Sequence, residues 1–424
     1  MRKKILLRGP ILSRSGYGEQ ARFAFRSLRK HEDRFDIYLM NTQWGQTGWV
    51  CEGEDDSERR YIDFLIQKTF HHVQNKQSFD MSLQVTIPNE WEKMTMMDVG
   101  YTAGIETTKI APKWIEKSKS VDKIIVTSEH SKNVFLNTTY DIVNKETNEK
   151  FGEIKCQTPI ERVGYPVKDV SKEKLELNLE TNFNFLVVSQ WGPRKNVGAT
   201  VEWFVEKFKD NPDVGLIVKG FFKNNCNMDR EGSERALKKI ITEDVKCKVY
   251  LLHGDMLDEE MSSLYCHPKI KALISISHGE GFGLPLFEAA YSGLPIVTTN
   301  WSGQCDFLNM PSKRRKKGSK KRTETIVKPM IGEVKYTLGP IQKEAVWDGV
   351  LQQDSMWCYA DKDSYQAVLG DVVQNYSKYE SMAKDLQSWV RKEFEAEKQY
   401  DAFANAVLPK TEDIPIEDML VSFD

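Results

Sequence analysis

Short apolar runs alternate with stretches of helical periodicity along most of the chain. In the first part, residues 4–7, 36–41, 82–87, 98–102 and 121–127 read as strands. Between them, 19–30 sets Ala21, Phe25 and Leu28 on one helical face, and 58–72, 113–120 (with Pro112 near its start) and 128–136 also read as helices. The polar stretch 140–155 predicts a hairpin or loop insertion. A boundary is placed near Gly164, Tyr165 and Pro166. The pattern then repeats, with strands at 185–189, 215–218, 249–253, 273–277 and 296–299 and helices at 197–208, 231–242 and 258–265. Strands alternating with helices imply a mostly parallel sheet covered on both faces. The expected fold class is therefore α/β, with two doubly wound, Rossmann-like domains facing each other across a cleft.

Residues 309–354 break this rhythm and read as an insertion, placed at about 305–355, with strand-like pieces at 325–331 and 334–338. Residues 363–407 are strongly helical, and 408–424 are acidic and poor in core residues. The expected organisation is an N-terminal Rossmann-like domain, 1–166, and a C-terminal Rossmann-like domain, 167–385. A closing helix and tail, 386–424, would pack back on the first domain.

Composition narrows the class. A chain of 424 residues with 40% hydrophobic and 29% charged residues fits a soluble globular protein of two domains. No apolar run approaches the roughly 20 residues that span a bilayer. The first residues, MRKKILLRGP, lack the apolar core of a secretory signal, so a cytoplasmic location is expected. Seven scattered cysteines without a Cys-x-x-Cys pair predict a reducing compartment and no structural zinc. The adjacent His71 and His72 are read as surface residues, and the Asp361-Lys362-Asp363 triplet as a helix cap. The net charge of −2 hides an asymmetry: residues 313–322 (KRRKKGSKKR) hold eight cations and no acid, leaving −10 on the remainder.

Candidate chemistry gathers just after predicted strands, where open α/β sheets bind ligands. Residues 278–295 read HGEGFGLPLFEAAYSGLP, with Glu280 among three glycines and seven residues between it and Glu288. Free amides at a helix start bind anions, and glycine lets a ligand approach the backbone. A carboxylate there suits neutral hydroxyls beside a phosphate, which suggests a sugar nucleotide. A tight strand-to-helix turn with a solvated glutamate is the alternative. Two further clusters are the loop Ser15-Gly16-Tyr17-Gly18 and residues 190–196 (QWGPRKN), where Arg194 and Lys195 could neutralise a diphosphate leaving group. The alternatives are a plain turn and a solvated basic loop. Lys219 follows another strand.

Taken together, these stretches resemble the retaining glycosyltransferases of the GT-B fold, the group that includes glycogen synthase-like and mannosyltransferase-like enzymes. The resemblance rests on residues 280–293, on SGYG at 15–18, GYTAGIETTKIAPKW at 100–114, VTSEHSKNVF at 126–135 and VSQWGPRKN at 188–196. It implies that Glu280 contacts hydroxyls of the transferred sugar. The amides of Gly281, Phe282, Gly283 and Leu284 would hold the donor phosphate, and Glu288 the ribose. Lys195 matches the family's diphosphate-binding lysine, but Gln190 stands where its partner arginine is usual, with Arg194 the nearby substitute. Gly16 would let the first loop close over the phosphates, and Glu106 is a catalytic candidate whose alternative is a helix-start carboxylate. The resemblance implies glycosyl transfer with retention, from a nucleotide-diphosphate sugar and without a required metal or cofactor.

The acceptor stays open: a saccharide, a lipid-linked or small molecule, or a hydroxylated base in DNA, as in some virus-encoded DNA-modifying enzymes. The eight cations Lys313, Arg314, Arg315, Lys316, Lys317, Lys320, Lys321 and Arg322 could meet nucleic acid or an anionic membrane surface, or form a solvated loop. A non-catalytic sugar-nucleotide or polyanion-binding protein is the reading from a different class.

Overall fold

A computed structural model describes residues 2–50, 57–144, 146–147, 149–315 and 323–409, with the backbone alone at 313–315 and 323. The first lobe is one parallel sheet. Its strands are β1 (Lys3–Gly9), β2 (Phe35–Asn41), β3 (Met81–Val85), β4 (Met97–Thr102), β5 (Lys123–Val126) and, after the antiparallel hairpin β6 (Thr139–Val143) and β7 (Lys150–Lys155), β8 (Ile160–Arg162). They lie in the order β2-β1-β3-β4-β5-β8. Helices α1 (Gly16–Arg29), α2 (Ser57–Gln74), α3 (Pro112–Ser118) and α4 (Glu129–Asn137) connect them.

The second lobe repeats the plan with β9 (Phe183–Gln190), β10 (Val214–Phe221), β11 (Lys248–Leu252), β12 (Ile270–Ser275) and β13 (Ile296–Thr299). Its helices are α5 (Val197–Phe208), α6 (Asn227–Lys238), α7 (Asp258–Tyr265), α8 (Leu284–Ser292) and α9 (Cys305–Leu308). Central strands such as β9 and β10 are apolar on both faces because helices cover both. A ribbon, β14 (Asn309–Arg315) and β15 (Thr323–Pro329), precedes β16 (Gly332–Val334). The expected insertion is thus part scaffold: β16 pairs in parallel with β13 and completes the order β11-β10-β9-β12-β13-β16. A second hairpin follows, β17 (Tyr336–Pro340) and β18 (Met356–Ala360). Helices α10 (Lys362–Gln374), α11 (Tyr376–Glu393) and α12 (Ala396–Val407) close the described chain. Residue Asp361 caps α10, accepting from the Ser364 amide at 2.7 Å, as its place before a helix predicts.

One apolar core runs through both lobes. Its junction is aromatic: Tyr165 lies 5.0 Å from Phe282, Phe394 5.3 Å from Phe287, and Phe403 of α12 5.0 Å from Phe23 of α1.

Several expectations need correction. The surface reading fails at His72, which is buried, meets the Ser78 carbonyl at 3.0 Å and packs on Tyr38 and Phe79. The cause is helical spacing: His72 follows Ile62, Leu65 and Thr69 on the inward stripe of α2, while the adjacent His71 points outward. Strand β12 ends at Ser275, so 276–283 is loop. Helix α6 starts at Asn227, earlier than periodicity suggests, and α1 starts at Gly16, because Ser15 caps it by accepting from the Gly18 amide at 3.0 Å. The cations at 316–322 lie outside the described residues, as does the tail from 410. Among the described residues, no helix is long and apolar enough to cross a membrane.

Candidate functional site

The loop after β12 reaches across to the first lobe. A Cβ on Gly279 would stand 2.4 Å from the Glu106 carbonyl oxygen, and one on Gly281 2.4 Å from that of Ala103. Only glycine allows the two lobes this approach. Gly283 takes φ +97° and begins α8. The first amide of α8 to bond within the helix is Phe287, which donates to the Gly283 carbonyl at 3.0 Å. The Leu284 and Leu286 amides ahead of it are first-turn donors without an intrahelical acceptor, and Pro285 has no N–H to offer. Phe282 turns its ring into the apolar junction instead.

Glu280 is the centre of charge. Lys195 Nζ donates to both of its carboxylate oxygens at 2.7 Å, and Arg194 Nη1 donates to Oε2 at 3.1 Å and to the Gly279 carbonyl at 2.7 Å. Burial alone would raise the Glu280 pKa, but the Lys195 and Arg194 charges outweigh it and hold the carboxylate at about 2. Burial lowers the Lys195 pKa, and the neighbouring guanidinium adds to that. Burial opposes the Arg194 charge too, yet Glu106 and Glu280 raise its pKa. Asn196, in the left-handed region at φ +52°, sets the turn that aims Arg194 and Lys195 before α5.

Glu106 comes from the first lobe and reaches Arg194 Nε at 3.4 Å. It lies in a bend ahead of α3, so the helix-start alternative does not hold. Arg194 thereby holds carboxylates of both lobes. Lys219 is buried and donates to the Gly254 carbonyl at 2.5 Å, near Asp255. Asp255 also stands 4.0 Å from Arg14, beside the Gly16 loop. Gly16 opens onto free space, whereas a Cβ on Gly18 would collide with the Ser13 carbonyl. Glu288 sits one turn further along α8, where Tyr265 donates to it at 2.7 Å. Burial pushes its pKa up to about 7, against the opposing pull of Lys168. Gln190 stands apart: it is exposed, and its amide donates to the Phe222 carbonyl at 2.7 Å.

Sequence reasoning missed the groups behind Glu280. Ser302, at φ +67°, accepts from the Glu280 amide at 2.8 Å, and Gly303 donates to the Glu280 carbonyl at 2.9 Å. A Cβ on Gly303 would meet the Gly281 carbonyl at 2.0 Å. The buried Gln304 accepts from Ser302 at 2.9 Å. The signal was the Ser-Gly-Gln run after β13, another strand-end turn. His278, also missed, is buried at the base of the loop. Among the described residues no group of three or more His, Cys, Asp or Glu could hold a metal.

Residues 168–314 match the family model described as glycosyl transferases group 1. The serotype-specific mannosyltransferase WbdA of Escherichia coli is 33% identical over 114 residues, 27% of this chain and 13% of its own length. A UDP-N-acetylglucosamine–peptide N-acetylglucosaminyltransferase GtfA subunit of Streptococcus agalactiae is 31% identical over 162 residues, 37% of this chain and 29% of its own. The chain therefore aligns with only a small part of these curated relatives. Among solved structures, Anabaena HepE in complex with UDP-glucose superposes with a TM-score of 0.59 at 12% identity, over 96% of this chain and 99% of its own. Sucrose-phosphate synthase from Thermosynechococcus elongatus does so at 0.57 and 12%, over 95% and 98%. The superpositions, over 95–96% of the chain, show the GT-B fold of two parallel-sheet α/β lobes, and residues 168–314 are similar to the group 1 glycosyl transferases.

Proposed function

We propose that this protein is a retaining glycosyltransferase that moves a sugar from a nucleotide-diphosphate sugar, a UDP- or GDP-sugar, to a hydroxyl acceptor. The observation that carries the reading is the pair of half-buried Lys195 with buried Glu280 at 2.7 Å, set before the open first turn of α8 and joined by Arg194. In this reading the α8 amides and Lys195 take the diphosphate, and Glu280 turns to hydroxyls of the transferred sugar. Glu288 accepts from the ribose. Arg194 supplies the second positive charge that Gln190 cannot. The developing charge of the departing diphosphate is stabilised by groups already in place. The acceptor oxygen attacks on the face the nucleotide leaves, its approach fixed by the first lobe beside Glu106.

A saccharide acceptor fits the first lobe best. Residues 41–50, NTQWGQTGWV, carry no charged side chain. Within them Trp44 packs on Tyr17 with ring centroids 4.2 Å apart, and the Tyr17 hydroxyl meets Thr102 Oγ1 at 2.8 Å. Aromatic faces and side-chain amides suit neutral sugar rings. The eight cations of residues 313–322 support nucleic acid as a second reading.

The test is incubation with a panel of UDP- and GDP-sugars, reading slow donor hydrolysis and thermal shift. Hydrolysis of one donor is expected. Absence of both hydrolysis and shift with every donor would overturn the donor assignment, while a shift without hydrolysis or transfer would leave a non-catalytic sugar-nucleotide binder. Glycan extracts and duplex DNA with hydroxymethylated bases then compete as acceptors, and product on the DNA alone would reverse the acceptor order.

A further inference from the structure

The segment between β17 and β18, residues 341–355, belongs in sequence to the second lobe yet is seated on the first. Val350 is 6% exposed and sits in the apolar cluster of Trp91, Ile105, Ile110 and Trp114. Beside it, Gly349 turns at φ +71° and its carbonyl accepts from Asn89 Nδ2 at 2.9 Å. At the segment's end the backbone of Met356 bonds the first lobe both ways: the Thr108 amide donates to its carbonyl at 3.0 Å, and its own amide donates to Thr108 Oγ1 at 3.0 Å. Thr108 is two residues from Glu106.

The other end of the same element grips the glutamate loop. The Cys358 amide donates to the His278 carbonyl at 3.0 Å, and His278 Nδ1 donates to the Cys358 carbonyl at 2.6 Å. A carbonyl can only accept, so the proton is on Nδ1. Nε2 is then the acceptor for Gln342 Nε2 at 3.0 Å. The ring stacks on Trp357 at 4.8 Å, and the His278 amide donates to the Arg194 carbonyl at 2.8 Å. His278 is therefore fixed at every polar atom, two residues before Glu280 and against Arg194.

We propose that residues 341–355 are a strap that couples lobe closure to the Glu280 loop, with His278 as the positioning residue. The proposal rests on the reading of Glu280 as a donor-contacting group. When the lobes close, Val350 enters its socket and Met356 pairs with Thr108. The same strand then holds His278, so Glu280 and Arg194 take their working places only with the first lobe engaged. A loop set in this way needs the first lobe for chemistry, while the nucleotide half of the donor can bind the second lobe with the strap undocked.

Val350→Asp tests this, because a carboxylate cannot enter an apolar socket without large cost. UDP and GDP dissociation constants should stay within about threefold of wild type, while kcat for donor hydrolysis falls at least about tenfold. Small-angle scattering with UDP or GDP should give a radius of gyration larger than that of the wild type under the same conditions. A folded variant that closes and turns over like the wild type would overturn the strap. If the variant does not fold, Thr108→Cys with Met356→Cys replaces it. Its oxidised form, with the cross-link confirmed by mass, should release nucleotide and turn over at least about tenfold slower, with recovery in dithiothreitol. A cross-linked enzyme as fast as its reduced form would count against the proposal. If the wild type hydrolyses no donor, the functional reading fails, but scattering and nucleotide release still report on the strap.

Discussion

The two lobes share an architecture and differ in what they bring to the cleft. Each is a six-stranded parallel sheet with its first strand inside and its last at one edge. At the strand ends of the second lobe stand the half-buried Arg194 and Lys195, both paired with the buried Glu280. At those of the first stand hydroxyls satisfied by their neighbours: Tyr17 on Thr102, and Thr127 on the Ala103 carbonyl at 3.0 Å. Glu106 is its one carboxylate at the Arg194 contact. The lesson is a division of labour within one fold. A charged, pre-assembled lobe can stabilise a leaving diphosphate, and a neutral one can orient an uncharged nucleophile without competing for it.

The most severe break of this contrast is Glu280→Gln. It removes the charge that both cations face, so donor-dependent kcat should fall roughly 10²–10³-fold, the range for loss of one preorganised polar group. Glu106→Gln, at the edge of the same cluster, should cost about tenfold, as loss of a helping electrostatic or proton-handling group would. Steady-state kinetics of the pair decide the matter. An Glu106→Gln loss larger than that of Glu280→Gln would move the catalytic centre to the first lobe.

Gly281→Ala attacks the meeting of the lobes. The new methyl would lie 2.4 Å from the Ala103 carbonyl, a backbone atom that cannot swing away. Lobes held apart by about 1 Å should lose about a hundredfold in kcat, with nucleotide affinity less affected. Equal losses in both would mean that the glycine serves the second lobe alone.

How much of this was legible follows from how each lobe is written. The candidate site of the second lobe is compressed into two short stretches, 190–196 and 278–295, because a strand-end turn and the helix start after it bring free amides and charges from neighbouring residues together. Glycines there announce backbone contact, and Glu280, Lys195 and Arg194 do meet. The alternation of strands and helices likewise exposed both sheets. Illegible were features made by distance. Two adjacent histidines read as polar surface, although the spacing from Leu65 and Thr69 turns His72 inward. Ser302 and Gly303 support Glu280 from another strand end, and Val350 enters a core formed by residues more than two hundred positions away. In the first lobe SGYG at 15–18 and the stretch 100–114 carry the resemblance, but Trp44, which packs on Tyr17, lies outside both.

Acidity offers a finer probe. Burial raises the Glu288 pKa to about 7 from the ordinary 4.5. The native state therefore holds the extra proton between those values, and this group's contribution to stability falls as pH rises through the interval. In the proposed reading ribose hydroxyls donate to Glu288, and the ionised carboxylate is the stronger acceptor. UDP or GDP affinity should then tighten as pH rises from 6 to 8, by up to about tenfold, in proportion to the ionised fraction. Titration calorimetry should show the slope flattened in Glu288→Gln. A wild-type affinity independent of pH would separate Glu288 from nucleotide binding.

The smallest expected effect lies on the neutral lobe and is the most discriminating. Trp44→Ala removes an aromatic face stacked on Tyr17 and leaves every charge of the second lobe untouched. Donor hydrolysis by water should be nearly unchanged, since it needs no bound acceptor. Transfer to a saccharide should show an acceptor KM raised about three- to tenfold, the scale of one lost aromatic contact. A parallel fall in donor hydrolysis would mean that Trp44 acts through Tyr17 on the lobe interface, and the division between the lobes would be less complete. An unchanged acceptor KM, with transfer instead falling steeply as salt is raised, would shift acceptor binding to the basic run of the second lobe.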